Sequence, residues 1–143
     1  MEFPPIDADP DHLAAIAAFV PIFETAGFVF GAWSELREAR PGVQEMPYYI
    51  FSQPAKDFLA AVGRAGLVTP FDWGAWLATP EGKSLKEDRA AVTRADIGQL
   101  SRLLTAIIRS DRFCEGSIAG AFESGLLTAI VRRIAELGRL PKF

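Results

Sequence analysis

Between Thr93 and Arg109 the apolar positions fall at Ile97, Leu100, Leu103, Leu104, Ile107 and Ile108. That is one face of a 3.6-residue helix and the cleanest periodicity in the chain. It predicts a helix near 95–110, with Thr93 and Asp96 as a capping box in which Asp stands where Glu is usual. A second helical stretch is predicted over 117–137, with Gly125 as a break inside it and Gly138 and Pro141 beyond its end. The run SQPAKDFLAAVGRAG predicts a helix over 53–65. Ser52 can cap it, Pro54 suits its first turn, Gly66 suits its C-terminal end, and Phe58, Leu59 and Val62 form its inner face. Leu13, Ile16, Ala17, Val20 and Phe23 predict an earlier helix capped by Asp9 or Asp11. Pro21 removes a backbone donor there, so a kink or an ending is expected near Phe19.

Two segments read as strands instead. Phe28 and Phe30 alternate with smaller residues over 28–33, and MPYYIFS covers 46–51. They are expected to pair as a hairpin with a long connection, and the charged SELREARPGVQE between them reads as a loop. A lone two-stranded hairpin is unstable in water, so it must pack on helices. Asp72 is the expected cap of a short helix carrying Trp73, Trp76 and Leu77, which Pro80-Glu81-Gly82 would end. KSLKEDRAAV reads as a polar, mobile connection. The fold expected is mainly α, with four to six helices in one compact domain and a small two-stranded β-hairpin.

Composition narrows the function classes. The chain has 143 residues, 50% hydrophobic and 23% charged, which favours one globular domain over residues 1–143 and argues against global disorder. Residues 1–10 read as a loosely ordered arm. No uncharged apolar run approaches the roughly 18 residues that a membrane-spanning helix needs, so no membrane partner is expected. One cysteine excludes an internal disulfide, and one histidine excludes multi-histidine metal sites. No metal and no cofactor is expected. The opening MEFPPIDADPD has neither the basic nor the apolar region of a secretory signal. With a lone thiol, it fits a reducing, cytoplasmic compartment. Residues 1–93 hold 7 Lys/Arg against 13 Asp/Glu, and residues 94–143 hold 8 against 5. That asymmetry suits an anionic partner or, more simply, solvated faces of C-terminal helices.

Candidate chemistry gathers in Arg109-Ser-Asp-Arg-Phe-Cys-Glu-Gly116, the densest polar stretch between two apolar helices. Arg112 can offer a bidentate fork, supported by Asp111 or Glu115, as an anion-recognition corner. The structural reading has the acids capping a helix and Phe113 plugging the core. Cys114 as a nucleophile would need a depressed pKa, and the only histidine, His12, is far away in sequence, so a small buried thiol is the simpler reading. Phe71, Trp73 and Trp76 can wall a ligand or anchor the core, with Trp33, Tyr48 and Tyr49 joining the same aromatic layer. Asp72, Glu115 and Glu123 are the carboxylates available for acid–base work. Ala121, Gly125 and Val131 match the spacing of a helix-turn-helix, but the would-be reading helix begins Leu126-Leu-Thr-Ala-Ile130 and offers only Thr128, Arg132 and Arg133 to base edges.

MPYYIFS, FDWGAW, LLTAIIRSDRFCEG and AFESGLLTAIVRRI together closely resemble a bacterial family of small proteins, domain of unknown function 6508, over roughly residues 12–137. The resemblance implies a small soluble bacterial domain and brings no established activity. It singles out Phe71-Asp72-Trp73, Arg112-Phe113-Cys114-Glu115-Gly116 and Phe122-Glu123-Ser124-Gly125 as signature pieces. The function expected is a non-enzymatic module that binds an unknown protein or a small anionic ligand, with Arg112, Glu115, Asp72, Trp73 and Glu123 as binding residues. The alternatives are an enzyme built on Arg112 and Glu115, or helix-turn-helix DNA binding through 117–137. A homodimer burying part of the C-terminal helix is compatible with the broad apolar stripes. Because the three signature pieces are expected to meet in space, Arg112 should be partly buried against Asp72 or Glu123.

Overall fold

A computed structural model describes residues 2–35, 37–114 and 116–139. In chain order these form α1 (Pro10–Ala17), α2 (Phe19–Phe23), β1 (Gly31–Trp33), β2 (Arg37–Arg40), β3 (Val43–Glu45) and β4 (Tyr49–Phe51). There follow α3 (Gln53–Arg64), α4 (Trp73–Leu77), α5 (Pro80–Glu87), α6 (Arg89–Val92), α7 (Ile97–Ser110), α8 (Ser117–Glu123) and α9 (Leu126–Arg139). The fold is mainly helical, as expected, but the described residues hold more helices than four to six. The excess comes from splitting at prolines and polar caps.

Pro21 has no N–H to give the Ala17 carbonyl, so the first predicted helix breaks at Ala18 into α1 and α2. Pro80 does not end a helix but begins one. The Thr79 hydroxyl accepts from Gly82 N at 3.1 Å, and Pro80 takes the first position, where a missing N–H costs nothing. Asp88 caps α6 through Ala90 N at 2.9 Å. KSLKEDRAAV is therefore helical over most of its length.

The capping box of α7 sits one turn later than predicted. Asp96 accepts from Gln99 N at 2.8 Å and the Gln99 side chain accepts from Asp96 N at 3.0 Å, while Thr93 donates to Ala90 O at the end of α6. The predicted helix at 53–65 is present as α3, with Ser52 accepting from Ala55 N. The break at Gly125 separates α8 from α9.

The predicted hairpin is present but short. β1 and β4 pair antiparallel, with Gly31 opposite Phe51 and Trp33 opposite Tyr49. Their connection is not a loop: β2 and β3 pair as a second two-stranded ribbon around Pro41-Gly42. The N-terminal arm reaches the helices through Phe3. Phe3 packs edge-on to Phe71 at 5.6 Å, and the Arg102 guanidinium lies over the Phe3 ring at 4.2 Å.

The centre of the core is a phenylalanine cluster. Phe23 contacts Phe19, Phe28, Phe30, Phe58 and Phe122 with ring centroids 5.3–5.8 Å apart. It joins α2, α3, α8 and the segment leading into β1, and so holds the hairpin on the helices. Two buried hydroxyls fix the chain between α3 and α4. Ser101 and Thr105, one turn apart on α7, both donate to the Leu67 carbonyl, at 2.7 and 3.2 Å, and Thr105 accepts from Thr69 N at 3.1 Å. No helix among the described residues is long and apolar enough to cross a membrane.

Candidate functional site

The polar stretch after α7 forms a tight turn. The Ser110 carbonyl accepts from Phe113 N at 3.0 Å and Cys114 N at 2.8 Å, and Asp111 reaches forward to accept from Ile118 N at 3.1 Å. Closing the turn this way throws Arg112, Phe113 and Cys114 outward. All three are exposed, Phe113 to 81%, against the expectation of a core plug, a buried thiol and a half-buried guanidinium. Arg112 makes no ion pair among the described residues. Glu115 lies outside the described residues. Gly116 has φ +102°, and a Cβ there would also stand 3.3 Å from Trp33 Cη2, so both backbone and packing call for glycine where the hairpin meets the turn.

The two acids expected to hold Arg112 are engaged elsewhere. Asp72 caps α4, accepting from Ala75 N at 3.0 Å. Glu123 accepts the Tyr49 hydroxyl at 2.7 Å. Burial, that hydrogen bond and the Glu123 charge together push the Tyr49 phenol well above the usual tyrosine range. The first two signature pieces still touch, but through rings: Trp73 and Phe113 lie 6.1 Å apart at 33°. Trp33 packs edge-on to Tyr49 at 5.4 Å and Tyr49 to Phe51 at 5.0 Å. This second aromatic group leads to Phe122 and not to Trp73, so the single layer expected is two.

A cleft of 390 Å³ opens beside this turn. Leu103, Ala106, Ile107 and Ser110 of α7 line it, with Ser117, Gly120 and Ala121 of α8, Gly116 and Ser124 at either end of α8, and Leu77, Lys86, Arg89 and Leu126. At one end Ser110 Oγ and Ser117 Oγ are hydrogen-bonded at 2.9 Å. At the other, Arg89 Nη2 donates to Ser124 O and Oγ, both at 3.3 Å. Hydroxyls and cations thus stand at the ends of a passage whose middle is aliphatic, the mixture a small-molecule site needs.

Beyond Arg89 lies a broader groove of 760 Å³ floored by Phe23, Phe30 and Phe122. Several of its charges are satisfied. Arg132 Nε donates to Glu24 at 2.9 Å, and Arg133 donates to Ala95 O at 2.8 Å and to Glu136 at 3.1 Å. These two arginines are, with Thr128, the base-edge candidates of the helix-turn-helix reading. Ala121 and Val131 are buried around the Ser124-Gly125 turn as that motif would have them. But α9 packs against α1, α2, α6 and α8, leaving a narrow exposed strip through Arg132, Glu136 and Arg139. A groove-reading helix needs a broad free face.

Glu81 forms the densest polar node outside the cleft. It accepts from Trp76 Nε1 at 2.7 Å, Gln99 Nε2 at 3.0 Å and Arg102 Nε at 3.1 Å. Burial raises its pKa, and the three donors with the Arg102 charge outweigh that, so the carboxyl lies below its ordinary value. Among the described residues no three His, Cys, Asp or Glu side chains gather as a metal would need.

Lys86, Arg89, Ser117 and Gly120 are not among the residues singled out from the sequence, and Ser110 and Ser124 enter there only as members of longer stretches. One signal was present. Small residues recur four apart at Ala106 and Ser110, and again at Gly116, Gly120 and Ser124, which keeps one face of each helix low. No curated protein and no solved structure matches the chain. The family of unknown function DUF6508 matches residues 8–139, and the chain belongs to that family.

Proposed function

We propose that the protein is a small-ligand-binding module whose site is the cleft between α7 and α8. The observation that carries this reading is the open space over Gly120. A Cβ built there meets no atom within 4 Å, although Gly120 sits in the middle of a helix whose other face is packed into the core. Glycine weakens a helix interior by about 1 kcal/mol relative to alanine, and at Gly120 it keeps the α8 wall of the cleft free of a side chain. The signature pieces support the same place: Gly116 and Ser124, from the second and third of them, line the cleft. Arg112, Asp72, Trp73 and Glu123 line none of its wall. The enzyme reading built on Arg112 has less support, because that side chain stands on an exposed turn.

The test is a screen of small amphiphilic molecules by amide NMR, run in parallel on the wild type and on Gly120→Leu. Binding is expected to shift the amides of 103–110 and 117–124, and Gly120→Leu, which fills the cleft without a clash at its Cβ, is expected to abolish it. Melting curves confirm that the variant folds. Ligand shifts that persist unchanged in Gly120→Leu, or a screen in which no shift maps to the cleft, would overturn the reading.

A further inference from the structure

We infer that the ligand of this cleft is an amphiphilic anion, its acid group held by Lys86 and Arg89 and its slim apolar chain lying along α7 and α8 toward Ser110 and Ser117. The inference rests on the cleft being the ligand site, and adds the chemical class of what enters it.

The cationic end carries the first part. Arg102, Arg132 and Arg133 are each paired with a carboxylate, whereas among the described residues Lys86 and Arg89 are not. Of Glu87 and Asp88, which stand between them in sequence, Asp88 is occupied in capping α6, and Glu87 forms no ion pair with either cation among the described residues. The Arg89 contacts to Ser124 are neutral and long at 3.3 Å, and leave the rest of its fork free. Two cations lining one cleft, neither paired with a carboxylate among the described residues, suit a carboxylate or phosphate head, which a guanidinium meets with two parallel hydrogen bonds.

The middle and far end carry the second part. Leu103, Ala106, Ile107, Gly120 and Ala121 offer no charge and no side-chain hydrogen-bonding group. A sugar or a base would leave its polar atoms unpaired against them. α8 has seven residues, so its two ends, marked by Ser117 and Ser124, lie about 10 Å apart at 1.5 Å per residue. That is close to the extended length of octanoate.

The probes are octanoate, 1-octanol and inorganic phosphate, each titrated by amide NMR into the full chain. Octanoate is expected to shift the cleft amides with an affinity about tenfold above that of octanol, the usual difference made by a charge-assisted hydrogen bond. Phosphate alone is expected to bind far more weakly than octanoate. Raised salt should weaken octanoate and leave octanol unchanged. Lys86→Gln with Arg89→Gln should bring octanoate down to the affinity of octanol. Lys86→Gln by itself breaks no contact within the described structure and should move the affinity in the same direction by less, so the test survives if the double variant unfolds. Equal binding of octanoate and octanol in the cleft would end the anion assignment and leave the cleft as a site. Phosphate binding as well as octanoate would end the assignment of an apolar chain. Octanoate shifts away from the cleft, or insensitive to Gly120→Leu, would instead defeat the cleft reading itself.

Discussion

Tyr49 donates its phenolic hydrogen to Glu123 at 2.7 Å across 74 residues of chain. The pair joins β4 to the end of α8 and places the hairpin over one side of the signature segments. Tyr49→Phe is expected to lower stability by about 1 kcal/mol, the usual worth of one hydrogen bond near the surface. The effect has a definite pH dependence. The folded chain holds the Tyr49 proton more tightly than the unfolded chain does. Its contribution is therefore complete below the ordinary tyrosine value of about 10 and is lost as pH climbs above that toward the folded value. Denaturant melts of wild type and Tyr49→Phe should show a constant gap from pH 6 to 9 that narrows in more alkaline buffer. A gap that widened there would contradict the pairing.

Glu81 should act at the opposite end of the scale. Its carboxyl is held below the ordinary glutamate range, so its contribution is present above that range and lost as pH falls through the folded value. Trp76 is buried to 1% exposure and its indole N–H has Glu81 as its partner. Solvent reaches about a third of the Glu81 side chain and screens the ion pair, which keeps the expected effect of Glu81→Gln near 1 kcal/mol at neutral pH. Acid titration followed by Trp fluorescence should show a flatter stability curve for the variant below pH 5.

Two glycines should respond to alanine with opposite signs. A Cβ on Gly82 would run into the Trp76 carbonyl and the Leu77 backbone, because the first turn of α5 lies directly on α4. Backbone cannot yield as a flexible side chain can, so Gly82→Ala should destabilise by about 1–3 kcal/mol. Gly120→Ala meets nothing and should stabilise by about 0.5–1 kcal/mol through helix propensity. Thermal melts of the two variants side by side measure both.

Arg112→Ala should change stability by less than about 0.5 kcal/mol, as for most exposed surface positions. A buried, paired arginine would instead give about 3–5 kcal/mol, so one melting curve separates the two placements.

Thr105→Val should be more costly than its small change in volume suggests. It removes the acceptor of Thr69 N and one of the two donors to Leu67 O, in a place no water reaches. A loss of about 1–3 kcal/mol is expected, and Ser101→Ala should show the same sign.

What the sequence determined by itself is local. Helices α3 and α7 were legible because their apolar spacing, caps and stops all agree, and these interactions span at most a turn or two. The pairing of β1 with β4 was legible because two short alternating runs have few other partners to choose. Membership of the family was legible in the signature pieces. Two local signals carry the opposite or a shifted sense: Thr79-Pro80 begins a helix, and Asp96-Gln99, not Thr93-Asp96, forms the capping box of α7.

Tertiary structure decided the rest. Burial of Arg112, Phe113 and Cys114 depended on which way a six-residue turn closes, and that is set by Ser110 and Asp111 binding backbone amides up to seven residues on. The partners of Asp72 and Glu123 were equally out of reach, since a carboxylate has many possible donors and the sequence does not rank them. The cleft is the clearest case. Its wall is made of glycine, alanine and serine, residues that carry little signal one at a time. It exists only because α7 and α8 meet along their low faces while α4–α6 bring Leu77, Lys86 and Arg89 to the opening. Space between elements is a property of how they pack, and no residue in the chain encodes it alone.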